Sequence, residues 1–274
     1  MSLPPPARPF SPPVGRLACL HVLLFLAACD EPPEDVNSIV LSDGAYVQIV
    51  NRQDSTSLAA LNADVFSLEI WAAGSPLPAD SLASPALFLV SNDQGDNEIG
   101  VFRPANDSSS IFVFVGESYV GSFPITGCNW NDSDVFTQVV LTYDGTTATV
   151  YGNGQLLGSR AVSQDLNIGE SDAFIGADWD GPSAGASLGN FWYGAIDEVR
   201  LWTIVLPAGE MEFRYENPDK LTLNYSATGL DPLLGLWRFN GADDGVTEPD
   251  GSGKGNVGLL NAGGGTLDFS PDGA

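Results

Sequence analysis

The sequence predicts an all-β sandwich. Apolar runs are short and recur along most of the chain, many with the alternation of a half-buried strand. They are separated by Gly, Asp, Asn and Ser clusters that favour turns. Long helical periodicity is absent, and 31 glycines with 19 prolines would interrupt helices repeatedly. A propeller would need a repeated blade motif, and no such period occurs.

The N-terminal segment stands apart from the fold. Arg8 and Arg16 supply positive charge, Leu17 to Ala28 is apolar apart from His21, and Leu26-Ala27-Ala28 leads into Cys29. This pattern resembles a bacterial lipoprotein signal, cut before a cysteine that becomes acylated. The apolar stretch is too short to span a bilayer of roughly 30 Å. Residues 1–28 are therefore expected to be removed, leaving Cys29 as a lipid anchor in the cell envelope. Residues 29–37 are acidic, proline-bearing and without apolar groups to bury, so they read as a tether. Residues 38–274 form the single expected domain.

Loss of residues 1–28 removes two arginines and no acid, leaving 8 basic against 35 acidic residues and a formal charge of −27. Such a field repels nucleic acid and anionic lipid, so neither is an expected partner. The removed segment also holds the only histidine, His21. Without His the mature chain lacks Ser–His–Asp and Cys–His catalysis and histidine-bearing zinc sites. Cys128 remains beside an acylated Cys29, with no second free thiol to pair with, and is expected to be a small buried residue.

Ten apolar runs are expected as strands: 45–50, 66–71, 86–90, 99–102, 111–115, 135–143, 148–151, 173–175, 195–202 and 234–239. Asp144-Gly145 and Asn153-Gly154 predict tight turns that join three strands into a meander. Along Gly194–Trp202, alternation sets Asp197, Val199 and Leu201 on one face and Ile196, Glu198, Arg200 and Trp202 on the other. Glu198 and Arg200 are expected to pair. Residues 206–213 predict one short helix. In the tail, Trp237 and Phe239 are expected to bury against the sheet, with Leu236 and Arg238 turned away. Residues 233–274 are expected to supply an edge strand and a Gly-rich end to the same sandwich.

Four landmarks occur in order: Phe66-Ser-Leu-Glu-Ile-Trp71, the Val139–Gly158 meander, Phe174-Ile-Gly-Ala177 and Gly194–Trp202. Together they resemble laminin-G-like and pentraxin-like domains of the concanavalin A-like superfamily, over about residues 38–215. The resemblance implies a two-sheet antiparallel jelly roll. It also implies a structural calcium ion, with Asp197 and the Gly44 carbonyl as the matching ligands. The alternative for Asp197 is a hydrogen bond to loop amides, because one carboxylate makes a poor calcium site.

Two further clusters carry chemistry. Asp93 and Asp96, in Asn92-Asp-Gln-Gly-Asp-Asn-Glu98, offer oxygens to a cation, although acidic turns also arise for conformational reasons. Asp178 and Asp180 flank Trp179, and Trp130 lies in Cys128-Asn-Trp-Asn-Asp132. Either tryptophan stacks on a sugar ring if exposed; the alternative is a packed aromatic beneath a loop. The glutamate-x-aspartate-x-x-glutamate spacing of related glucanases is missing. The expected function is therefore non-catalytic binding of a glycan or surface protein. The rivals are a divergent glycoside hydrolase or lyase of the same fold, marked by two carboxylates about 5–10 Å apart in a groove, and a purely structural envelope component.

Overall fold

A computed structural model describes residues 37–51, 58, 65–79, 81–91, 97–162, 166, 172–179, 187–221, 232–241 and 245–274. In chain order its strands are β1 (Ser38–Leu41), β2 (Tyr46–Asn51), β3 (Phe66–Gly74), β4 (Ala86–Ser91), β5 (Asn97–Phe102) and β6 (Ser110–Val115). There follow β7 (Ser118–Pro124), β8 (Thr137–Tyr143), β9 (Thr147–Gly152), β10 (Gln155–Ala161), β11 (Asp172–Ile175) and β12 (Asp178–Trp179). The last are β13 (Leu188–Gly189), β14 (Gly194–Trp202), β15 (Leu233–Trp237), β16 (Thr247–Glu248), β17 (Asn256–Asn261) and β18 (Leu267–Ser270). A 3₁₀ turn, Ala208–Glu210, leads into the helix α1, Met211–Glu216.

Among the described residues these strands build two large antiparallel sheets. The first runs β10-β9-β8-β3-β14-β1-β18, with β15 added beside β14. The second runs β16-β17-β2-β11-β4-β5-β6-β7. The core lies between them, where Ile39, Leu41, Leu68, Ile70 and Leu141 share one cluster with Val47, Ile49, Val90, Ile99 and Val113. Each such side chain, fully buried, contributes about 1.5–3 kcal/mol. This is the all-β sandwich that the turn-punctuated pattern predicts, in the two-sheet antiparallel form that the family resemblance implies.

The meander forms as expected. Asp144 Oδ1 accepts the amides of Thr146 and Thr147 at 2.9 and 2.7 Å, which closes the β8–β9 turn. Asn153 and Gly154 take φ of 48° and 74°, the double left-handed pair a two-residue hairpin requires.

The tail is more deeply integrated than an edge strand. It supplies β15 and β18 to the first sheet and β16 and β17 to the second. Trp237 and Phe239 are fully buried in the main core. Leu236 is buried too, in a separate cluster with Trp202, Leu206 and Met211 on the other side of the first sheet.

Strand β14 departs from simple alternation. Against β3 its register slips between Asp197 and Arg200, and Glu198 sits at φ 46°. This is a β-bulge, in which two residues oppose one. Ile196, Val199 and Leu201 all reach the main core, while Trp202 packs on the opposite face. The expected grouping of Asp197 with Val199 and Leu201 is therefore corrected. One inserted residue resets the two-residue period, so Asp197 and Glu198 both leave the core face. The bulge falls where β14 changes partner, from β1 at Gly194–Ile196 to β15 at Val199–Trp202.

Candidate ligand-binding face

The two outer faces of the sandwich differ chemically. That of the first sheet is closed by α1 and by residues Pro218–Lys220. Glu198 Oε2 accepts Arg200 Nη2 at 2.6 Å, and its Oε1 accepts Arg238 Nη1 at 2.7 Å. Glu69 Oε2 accepts Arg214 Nη1 and Trp202 Nε1, both at 2.8 Å. Arg214 also reaches Glu210, at 2.9 Å. The Arg200 guanidinium lies 4.9 Å from the Trp71 ring centre, and that of Arg214 lies 5.2 Å from Trp202. Arg200 further donates to the Pro218 carbonyl, which fixes the covering segment. Carboxylates paired this way hold the helix onto the sheet, and the expected Glu198–Arg200 pair is part of that lattice.

The outer face of the second sheet is aromatic. Alternation sends Ile111, Val113 and Val115 of β6 inward, and Phe112 and Phe114 outward. Register then aligns a row across the sheet. Phe174 lies between Gln48 and Leu89, Leu89 opposes Gly100, Gly100 opposes Phe114, and Phe114 opposes Tyr119. Gly100 is needed here, because a Cβ would press on the Phe102 ring that lies over it.

Phe102 and Phe112 stack with centres 5.1 Å apart and planes 8° apart. Phe112 meets Phe114 edge-on at 6.0 Å, and Phe114 meets Tyr119 at 5.5 Å. A second group joins Tyr46 to Phe174 at 6.0 Å and to Phe191 at 6.4 Å. Tyr119 is 45% exposed, and Tyr46, Phe112, Phe114 and Phe191 are half-buried.

Trp179 belongs to this face. The hairpin β12–β13 pairs Trp179 with Leu188, and both pack on the aromatic cluster. Ser91 Oγ donates to the Trp179 carbonyl at 3.2 Å, tying the hairpin to the end of β4. Asp178 is buried, and its Oδ2 accepts Asn190 Nδ2 at 2.8 Å. Asn190 has φ 46°, and its carbonyl accepts the Ala86 amide at 2.7 Å. Asp178 thus shapes the loop that presents Trp179 and Phe191.

Other sequence-derived candidates separate. Trp130 takes the packed alternative, which corrects its reading as a stacking platform. It is fully buried, edge-on to Trp192 at 5.4 Å, with Nε1 donating to the Ser110 carbonyl at 2.8 Å. Asp197 and Gly44 are not brought together. The β1–β14 register puts Asp197 beyond Ile39↔Ile196 and Gly44 beyond the opposite end, Leu41↔Gly194. Gly44 packs on Gly263 and Gly265. The Asp197 oxygens accept the amides of Glu198 and Ala274, at 2.7 and 2.9 Å. One ion cannot bridge that pair, so the described residues of this pair do not fit the implied calcium. Cys29, Asp93, Asp96 and Asp180 lie outside the described residues.

Burial raises Asp197, Glu248 and Cys128 strongly. Asp197 is pushed up to about 7, against the opposing pull of the Ala274 amide. Glu248, which accepts the Phe239 amide at 2.8 Å, is also pushed up to about 7. The buried Cys128 thiol rises to about 11, which leaves it an inert thiol.

The aromatic row escapes motif reading because its members come from six strands. The available signal is the Phe112-x-Phe114 pair opposite Ile111, Val113 and Val115 in one short run.

The sequence pattern of the concanavalin A-like lectin/glucanases superfamily matches residues 41–212. Among solved structures, a candidate carbohydrate-binding protein from Bacteroides ovatus shares 13% identity with a TM-score of 0.54, covering 86% of this chain. The chain spans 59% of the length of that protein. A native heptameric SAP-like pentraxin from Limulus polyphemus shares 14% identity with a TM-score of 0.52, over 66% of this chain and 82% of the pentraxin. No curated protein matches. With more than half of its length in the family's pattern, laid out as two packed antiparallel sheets, the chain belongs to the concanavalin A-like lectin/glucanases superfamily.

Proposed function

We propose that this protein is a non-catalytic, exported lipoprotein that binds carbohydrate on the outer face of its second sheet. The observation that carries the reading is the row of part-exposed rings, Tyr119, Phe114, Phe112, Tyr46 and Trp179, on one side of the sandwich. Sugar rings present C–H faces that pack on aromatic planes, and hydroxyl edges that hydrogen-bond at the rim. An apolar patch rimmed by polar residues is also what a binding surface requires. The Bacteroides ovatus protein of the same fold, itself a candidate carbohydrate-binding protein, supports the assignment.

A binding role without catalysis is supported by the use of Glu69 and Glu198. Both carboxylates are engaged by arginines on the face that α1 covers. The lipid anchor is assigned to Cys29 on the signal pattern described above.

A glycan array probed with the protein, once with calcium and once with chelator, tests the binding role. Signal on a defined glycan class, lost in Tyr119→Ser and Trp179→Ser, is the expected result. Silence under both conditions would sink it. For the anchor, Cys29→Ser should move the protein from the membrane to the soluble fraction.

A further inference from the structure

Beyond the aromatic face, one buried cationic group lines a cavity and has no ion-pair partner among the described residues. Arg103 directly follows the last residue of β5 and is 3% exposed. Its Nη1 donates to the carbonyls of Ser75 and Trp130, at 2.9 and 2.8 Å. Its Nη2 donates to Asn131 Oδ1 at 2.7 Å. All three acceptors are neutral, and among the described residues no carboxylate lies within ion-pair distance. A guanidinium has five N–H donors in a rigid plane. Three are used here. The remaining two are Nε–H, which is buried and unpartnered, and the second Nη2 hydrogen. Nε is sealed by the surrounding protein, so a ligand in the adjoining space meets the remaining Nη2 hydrogen, a charge-assisted donor to an oxyanion.

This arginine lines a cavity of about 490 Å³. The walls come from the β3–β4 connection at Pro76, Leu77, Pro78 and Ser81, from the β5–β6 turn, and from Asn131. Asn131 lines the cavity whereas Ser75 and Trp130 do not, so the guanidinium turns its Nη2 corner toward the space. The volume falls within the range of small-molecule sites, about 300–1,000 Å³. Asp107 is the acid in the lining, and its Oδ1 is occupied by the Ser109 amide and hydroxyl, each at 2.8 Å. Burial draws the Arg103 pKa down, with the nearby Cys128 opposing that shift. Arginine stays protonated nonetheless. In a chain of net charge −25 with carboxylates in excess, a buried cation paired, among the described residues, only to neutral oxygens is a costly arrangement unless something anionic completes it.

We infer that the cavity at Arg103 is a second ligand site, one that takes an oxyanion carried on a small molecule, with the carboxylate of an acidic sugar as the best fit. An oxygen of a carboxylate or sulfate would accept the free Nη2 hydrogen and bring the missing negative charge beside the guanidinium. Ser81, Asn106 and Ser108 are placed to hydrogen-bond the hydroxyls of the attached ring. The assignment does not depend on the aromatic face, which lies on a different set of residues.

The test is calorimetric titration of the full protein at low ionic strength with glucuronate, glucose 6-sulfate, inorganic sulfate and, as the neutral control, glucose. Glucuronate should bind, glucose should not, and added salt should weaken binding as it screens the charge. Competition by inorganic sulfate would show that the oxyanion itself is recognised. The two acidic sugars then separate a carboxylate preference from a sulfate one.

Arg103→Gln removes the cation but also unpins two loop carbonyls, so folding becomes a concern. Asn131→Asp avoids this. It keeps the acceptor at Nη2 and supplies a fixed counter-charge, so it should hold or raise the melting temperature while weakening glucuronate at least about tenfold. Tyr119→Ser should leave glucuronate affinity unchanged, which separates this site from the aromatic face. Glucuronate binding no tighter than glucose, or binding undiminished in a folded Asn131→Asp protein, would overturn the assignment.

Discussion

Asp197 accepts the backbone amide of Ala274 at 2.9 Å, so the segment that follows β18 locks the bulge of β14. Its other oxygen accepts the Glu198 amide at 2.7 Å. That carboxylate therefore fills the gap at which β14 exchanges β1 for β15.

This arrangement predicts a specific pH response. Asp197 and Glu248 have folded pKa values of about 7, above the ordinary carboxylate range near 4. A group raised in this way holds its proton more tightly when folded. Its contribution is complete below about pH 4, declines as the pH rises toward 7, and is lost above that. The melting temperature should fall between pH 5 and pH 8, by a stability loss on the order of 2 kcal/mol per group. Asp197→Asn should flatten its share of that slope, being less stable than the parent at pH 5 and no less stable at pH 8. Equal slopes in parent and variant would contradict this.

Glu69 is fully buried and shared by Arg214 and Trp202. Glu69→Gln should cost roughly 3–5 kcal/mol in urea denaturation, because a buried guanidinium loses its charge partner. Arg238→Ala removes a partly exposed partner of Glu198 and should cost less than about 1 kcal/mol. Similar costs for the two would show that the buried lattice is not the stronger element.

On the aromatic face, Tyr119→Ser should lower affinity for the recognised glycan about tenfold, or roughly 1.4 kcal/mol. Tyr119 is 45% exposed, so the melting temperature should stay within a degree or so of the parent. Loss of affinity together with a large drop in melting temperature would mean that the ring is structural.

Trp237 reports on the tail. It is fully buried and its Nε1 donates to the Asn256 carbonyl at 2.7 Å, which ties β15 of one sheet to β17 of the other. Trp237→Ala should destabilise the whole sandwich by about 3–5 kcal/mol in a single cooperative transition. A separate early transition, with the rest unaffected, would show the tail to be a detachable appendage.

Local chemistry makes much of this fold legible from sequence. Asp144-Gly145 and Asn153-Gly154 specify their turns because few residues tolerate the required backbone angles. Apolar alternation places most strands, and burial of Trp237 and Phe239 follows from it. The family landmarks lie in those same segments. What sequence could not show is what depends on partners distant in the chain. The bulge at Asp197–Glu198 breaks alternation only because β14 meets two successive neighbours. Trp130, between two asparagines, and Trp179, between two aspartates, read alike as loop tryptophans, yet one lies sealed on Trp192 and the other on the outer aromatic face. Asp197 and Gly44, joined by resemblance, are held apart by the β1–β14 register. Strand identity is a property of neighbours a few residues away, whereas exposure, pairing and charge compensation are set by whichever segments the folded sheets bring alongside.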